Sequence, residues 1–414
     1  MPLTKIHIVE SEDQFANFFI KRPKLFIIFI SLCYPLNEKL LKDYTDLWNW
    51  EILSFNKSLY WSEVLIAQYA DLWNWEYLSH NKSLPWNETF IDMFANRLNW
   101  QWLNKNSALS WNKSFIERYY KRWRWRWLSL NIELPWDEDL IDKYADRWNW
   151  QMLSLNKSLP WNETLIEKYA EKWDWNLWLS SNNSLPWSES LINRYIDRWN
   201  WEQLSRNDSL PWNESFIELY VDRWDWKMLS NNSALPWSES FIERYINRLD
   251  WNQLSKNSGL PLSESFVERY INRWNWEMLS GNKALLLSVD LIERYADNFV
   301  WEWISRYGVL SGGQSLIEKY ADRWDWKMLS RNESLPCHIS LIERYAERWD
   351  WEWLSRNEEL PWNISFIERH EDKLRLDTLE QRPGIFVLNN RIWDKAFKPY
   401  MSDTVIKRVL EKIS

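Results

Sequence analysis

A 25-residue phrase repeated almost from end to end constrains this chain more than any other feature. Residues 210–234 read LPWNESFIELYVDRWDWKMLSNNSA, and residues 335–359 read LPCHISLIERYAERWDWEWLSRNEE. Copies open at Leu59, Leu84, Leu109, Leu134, Leu159, Leu185, Leu210, Leu235, Leu260, Leu285, Leu310, Leu335 and Leu360, and a worn copy spans Tyr34 to Ser58. Every step is 25 residues except 159 to 185, where Trp175–Asn176–Leu177–Trp178 carries one extra residue. A fixed period of this size predicts a solenoid, because one repeat cannot bury its own apolar face and stacked repeats bury a continuous core. The expected fold is an all-α solenoid of about 13–14 helix–turn–helix repeats with degenerate capping ends.

Positions are counted from the opening Leu of each repeat. Pro at position 2 disfavours helix before it, Ser, Asn or Asp at position 4 suits an N-cap, and Glu at position 5 suits the first turn. In the repeat opening at Leu210, Phe216, Ile217, Tyr220, Val221 and Trp224 fall at positions 7, 8, 11, 12 and 15. At 100° per residue they cover one core-facing stripe, which predicts a helix A of about ten residues. Asp225 at position 16 caps a shorter helix B over Trp226 to about Ser230, and Asn232 at position 23 suits a left-handed C-terminal residue. Of the 38 Trp residues, 37 sit at repeat positions 3, 15, 17 and 19, so the aromatics are architectural first, with Trp at 17 expected in the core.

Residues 1–33 are expected to form an N-terminal cap or eroded repeat, 34–380 the tandem array and 381–414 a C-terminal cap, since end repeats must turn a polar face outward. Lys21 to Leu32 (KRPKLFIIFISL) imitates a signal peptide, but it follows an acidic segment and reads as a cap over the first repeat. No run reaches the roughly 20 apolar residues of a membrane span. The repeats opening at Leu285 and Leu310 lack Pro–Trp and are the expected soft point. Cys33 and Cys337 form no recognisable disulfide or metal spacing, which points to a reducing, cytoplasmic setting.

Catalytic signals are missing. His7, His80, His338 and His370 stand in different contexts, and no phosphate loop, zinc-protease or paired-cysteine motif occurs. No catalytic, cofactor-binding or metal-binding residue is expected, and the reading is non-enzymatic. On helix A, positions 5, 9 and 13 are mostly acidic and positions 10 and 14 mostly basic, so stacked repeats should pair one flank with the next and fix register. Arg244 and Arg248 are examples, with the direction of stacking left open. Sequons at Asn56, Asn81, Asn156, Asn207 and Asn332 are better explained by capping and turns than by glycosylation.

Function is sought where the frame holds constant and one column varies. Position 19 carries Tyr77, Trp102, Trp127, Met152, Trp178, Met228, Met278, Trp303, Met328 and Trp353, besides Ile52, Gln203 and Gln253. On helix B it points away from Trp at 17 and Leu at 20, so these ten residues are the candidate partner-binding face, with positions 18 and 22 varying beside it. The repeats from Tyr34 to about Glu371 resemble the α-solenoid class of tetratricopeptide and HEAT arrays, but the period and signature residues differ from both. The phrase DRWDWxxLSxNxSLPWSxSLIERY also resembles Trp-rich tandem repeats of uncharacterised microbial and viral proteins. That resemblance implies a helical fold and no site residues. The first reading is a scaffold that binds a protein or peptide along position 19. The alternative is a single-stranded nucleic-acid binder reading one base per repeat, which the net charge of -8 disfavours. A glycan binder using exposed Trp is the third.

Overall fold

The computed structural model describes residues 12–285, 289–308, 310, 313–357, 360–374 and 393–414. All regular structure among them is helical, and the chain is a tandem array of short helices at the period of the repeat, an α-solenoid. It divides into two compact bodies, Met1–Ser110 with Cys337–Ser414 and Trp111–Pro336. The 380/381 boundary lies outside the described residues, as do residues 286–288, 309, 311 and 312 of the two repeats expected to be soft.

Helix A is shorter than its apolar stripe predicts. In the repeat opening at Leu210 it spans Glu214–Leu219, capped by Asn213, whose side chain accepts from Phe216 N. The chain leaves α geometry at Tyr220, at φ -119° and ψ 26°, and a four-residue turn brings Trp224 into the core. The stripe counts Tyr, Val and Trp as one helix; the turn keeps them on the same side with i→i−3 bonds from Val221 N and Arg223 N and a single i→i−4 bond, from Trp224 N to the carbonyl of Tyr220. Helix B spans Trp226–Asn231, capped as expected by Asp225. The extra residue near 177 is absorbed as a π-helical turn over Trp175–Leu179, which leaves the flanking register intact.

A buried polar ladder sets the spacing between repeats. Asn232 is not left-handed: it sits at φ -78° and ψ 116° and is 3% exposed. Its Nδ2 donates to the carbonyls of Ser205 and Asn207 in the preceding repeat, at 3.0 and 3.5 Å, while its Oδ1 accepts from Ala234 N. The same bonds recur at Asn81, Asn156, Asn257 and Asn282. Ser at position 21 adds a second rung. Ser205 Oγ donates to the carbonyl of Trp201 and accepts from Asp225 N of the next repeat. The sequon asparagines 56, 81, 156, 207 and 332 are all buried in this ladder, where a glycan has no room.

Aromatic rings fill the seams. Trp224 is 4% exposed, meets Trp212 of its own repeat at 5.0 Å and takes Trp201 of the preceding repeat edge-on at 4.9 Å. Position 15 is therefore the deepest Trp. Position 17, expected in the core, is mostly half-buried: Trp226 lies between Tyr245 at 4.8 Å and the guanidinium of Arg248.

The charge flanks pair as expected, and the direction is now set. The paired basic residues reach back to the preceding repeat: Arg244 to Glu214 at 2.6 Å, Arg248 to Asp222 at 3.0 Å, Arg198 to Glu171 at 2.8 Å and Arg323 to Asp297 at 2.8 Å. These pairs are exposed, so they contribute register more than stability.

The terminal segments cover one another instead of each facing solvent. Helix Pro23–Cys33 packs on the first helix B, and Asn56 Nδ2 donates to the carbonyls of Ser31 and Tyr34, so the first ladder Asn finds its acceptors there. Phe397 inserts among Phe18, Phe19 and Phe29 at 4.9–5.7 Å. Arg408 pairs with Asp13, and Arg22 with Glu371.

His370, where other repeats carry Tyr or Phe, stacks on Trp351 at 4.7 Å beside that junction. Burial holds its pKa below the ordinary 6.5, with Glu343 opposing and Arg369 and Lys373 adding to the shift. A depressed folded-state pKa means the unfolded chain binds the proton more readily, so stability is held above about pH 6.5 and lost as pH falls below it. His370→Tyr is expected to flatten this acid-side loss, as read from melting temperatures between pH 7.5 and 5.

Candidate functional site

Helix B presents the varying columns because its other faces are committed. In the repeat opening at Leu260, Trp276 meets Phe299 and Tyr295, Leu279 is fully buried, and Ser280 Oγ accepts from Val300 N. That leaves positions 18, 19 and 22 to face outward.

Position 19 neither escapes into solvent nor joins the core. Tyr77, Trp102, Trp127, Trp178, Met228, Met278, Trp303, Met328 and Trp353 are half-buried. Met152 departs from the expectation, at 8% exposed, as does Ile52 at 4%. The cause is the stacking of helices B. A side chain at position 19 lies against the preceding helix, and the helix that carries Met152 also packs on the π-helical turn Trp175–Leu179. In the repeat with the insertion the N-cap Asp174 accepts from Leu177 N, so Leu177 takes the capped place of position 19 and is 40% exposed. Trp178 is the added residue.

In two repeats the partner that half-covers position 19 is a ring at position 22 of the preceding repeat. Phe55 packs on Tyr77 at 4.0 Å and His80 on Trp102 at 4.9 Å. Trp102 Nε1 also donates to Glu76 at position 18 of that preceding repeat, at 3.1 Å. Burial lowers the pKa of His80, with Lys82, Lys57 and Lys105 adding to it, so at neutral pH it presents an uncharged ring. A hydrogen bond with Glu51 raises the pKa of Tyr77.

One place on this face is built differently. Position 22 is Gly281, and around it lies a cavity of about 340 Å3 lined by Lys256, Glu277, Met278, Trp303 and Tyr307. Trp303 and Tyr307 stack at 5.7 Å with an interplanar angle of 16°, making one flat aromatic wall. Tyr307 occupies position 23, where the other repeats carry the ladder Asn. The next rung shifts around it: Asn332 Nδ2 bonds the carbonyls of Ser305 and Gly308, the second one residue past the usual position-23 acceptor, and the Arg306 guanidinium donates to the carbonyl of Arg331.

No family model, curated protein or solved structure matches this chain. Among the described residues no group of His, Cys, Asp or Glu is arranged to hold a metal, and no helix is long and apolar enough to cross a membrane. Sequence reasoning identified Met278 and Trp303 and overlooked Tyr307, Lys256 and Glu277 as one site. The signal is present, because Tyr307 breaks a column that is otherwise Asn, but from sequence that column suits a turn as well as a ladder.

Proposed function

We propose that the chain is a non-enzymatic repeat scaffold that binds a protein or peptide along the helix-B face formed by positions 18, 19 and 22. The observation that carries this reading is a contrast within each repeat. The ladder and the Trp seams repeat with little change, while the outward face mixes Trp, Met, Tyr, Lys and Glu and leaves its rings half-exposed. Half-buried aromatic and Met side chains held on a rigid frame suit peptide anchoring, since little side-chain freedom remains to be lost on binding. A nucleic-acid reading fits less well. The cations at positions 10 and 14 are largely engaged by carboxylates of the preceding repeat, which removes the continuous basic track that phosphates require. A reducing, cytoplasmic setting accords with Cys33 and Cys337 forming no disulfide and with the buried sequons.

The test is selection from a displayed library of random peptides, repeated with Trp102, Trp127, Trp303 and Trp353 all replaced by Gln. The wild-type protein is expected to enrich peptides with aromatic or aliphatic anchors whose binding changes little between 50 and 300 mM salt. The variant should lose them while keeping its helical circular dichroism. Enrichment of nothing by the wild-type protein, or tight and steeply salt-dependent binding of single-stranded oligonucleotides, would overturn the proposal.

A further inference from the structure

We infer that the Gly281 notch receives an aromatic side chain of the bound peptide, Phe or Tyr, which takes the place that a position-22 side chain fills elsewhere in the same protein. The inference rests on the partner-binding reading above and names the chemistry of one subsite within it. The chain supplies its own precedents for the occupant. In two other repeats a planar ring at position 22, Phe55 or His80, lies against the aromatic ring at position 19 of the next repeat. At Gly281 the ring wall is present and its covering side chain is not.

The space is sized and shaped for such a group. A Cβ added to Gly281 would meet Trp303 Cε3 and Tyr307 Cδ2 at 3.8 Å, ordinary contact distance, so a side chain entering there runs directly onto the aromatic wall. The cavity of about 340 Å3 falls in the range of about 300–1,000 Å3 typical of small-ligand pockets, which leaves room for a ring and its flanking backbone. Met278 offers a polarisable contact to a ring edge. Lys256 and Glu277 border the notch, and neither makes an ion pair among the described residues. Together they offer a donor and an acceptor to a tyrosine hydroxyl or to the peptide backbone. Two departures from the repeat create the notch, Gly at 281 and Tyr at 307. The second gives up a ladder Asn and shifts one acceptor of the next rung to Gly308, and in exchange it completes the aromatic wall with Trp303.

The experiment uses the full chain labelled with 5-fluorotryptophan, with the Trp303 fluorine resonance assigned by its loss in Trp303→Phe. N-acetyl-L-phenylalaninamide is the probe and N-acetyl-L-leucinamide the aliphatic control. The aromatic probe is expected to shift the Trp303 resonance saturably, with a millimolar Kd suited to a fragment of this size. Gly281→Phe should refill the notch and weaken binding at least tenfold with no fall in melting temperature. Gly281→Ala, which adds only the tolerated Cβ, should stay within about threefold of wild type. The inference is overturned if the aromatic probe leaves Trp303 unmoved, if Gly281→Phe binds it as well as wild type, or if the leucine amide or adenosine 5′-monophosphate saturates the notch more tightly. Failure of the broader reading looks different. There, no peptide is selected by the wild-type face, whereas selected peptides that are lost with the four-Trp variant but bind Gly281→Phe at full strength sink the notch alone.

Discussion

Asn257→Leu is expected to lower the unfolding free energy of its part of the array by about 4 kcal/mol, although the substitution adds apolar volume to a buried site. Asn257 is 1% exposed. Its Nδ2 donates to the carbonyls of Ser230 and Asn232 at 2.9 and 3.1 Å, and its Oδ1 accepts from Gly259 N at 2.8 Å. Leucine leaves three backbone groups without partners, and each buried orphan costs roughly 1–3 kcal/mol, partly relieved by relaxation. Since a repeat touches mainly its neighbours, urea unfolding should split into two transitions instead of shifting as one. Asn257→Asp separates the polar explanation from simple misfit. The carboxylate keeps the shape but turns a lone pair toward two carbonyls, so its folded-state pKa is raised by burial and by those oxygens. A raised pKa gives stability that is present at low pH and lost as pH rises through the folded value. The Asp variant should thus recover on mild acidification while the Leu variant does not. Equal pH profiles for the two would show that the ladder does not set the cost.

Much of the architecture was legible because periodicity reports burial directly. Position 7, position 8 and position 15 are apolar in nearly every repeat, and Phe216, Ile217 and Trp224 are buried. The helix-B cap at position 16 was equally clear, as was the pairing of basic with acidic flanks. What the period conceals is the use of a residue that serves more than one purpose. Asn is a good turn residue and also the side chain that can donate twice while accepting; nothing in Asn232 taken singly distinguishes the two. The same limit applies to the meeting of the chain ends. Phe15, Phe18, Phe19 and Phe29 belong to no repeat column, and no pattern pairs them with Phe397 hundreds of residues away. At the candidate site, helix geometry placed position 19 on the outward side of helix B, but only stacking distances reveal that position 22 of the preceding repeat half-covers it. Gly281 acquires meaning from that neighbour relation.

Trp224→Ala is expected to cost about 3–5 kcal/mol, and more than Trp226→Ala, even though both residues lie in the same WDW motif. The difference follows from depth. Trp224 is 4% exposed, with Trp201, Trp212, Phe216 and Tyr220 around it at 4.9–5.9 Å, and its Nε1 donates to the carbonyl of Ile217 at 3.0 Å. Alanine removes the ring from both an intra-repeat and an inter-repeat seam, leaves a cavity and orphans a bond. Trp226 is half-buried, with Tyr245 at 4.8 Å and the guanidinium of Arg248 beside it, and its Nε1 likewise donates to a carbonyl, that of Val221 at 3.0 Å, so the difference lies in ring burial. Solvent reaches part of its site after truncation, so about 2 kcal/mol is expected there. Leucine at position 15 is an internal control, because Leu249 occupies that place in the next repeat and is 6% exposed. Trp224→Leu should therefore cost less than Trp224→Ala and preserve the two-sided contact of the seam. Guanidinium unfolding of the three variants checks the order. A larger loss from Trp226→Ala than from Trp224→Ala would return position 17 to the core and displace position 15 as the element that holds successive repeats together.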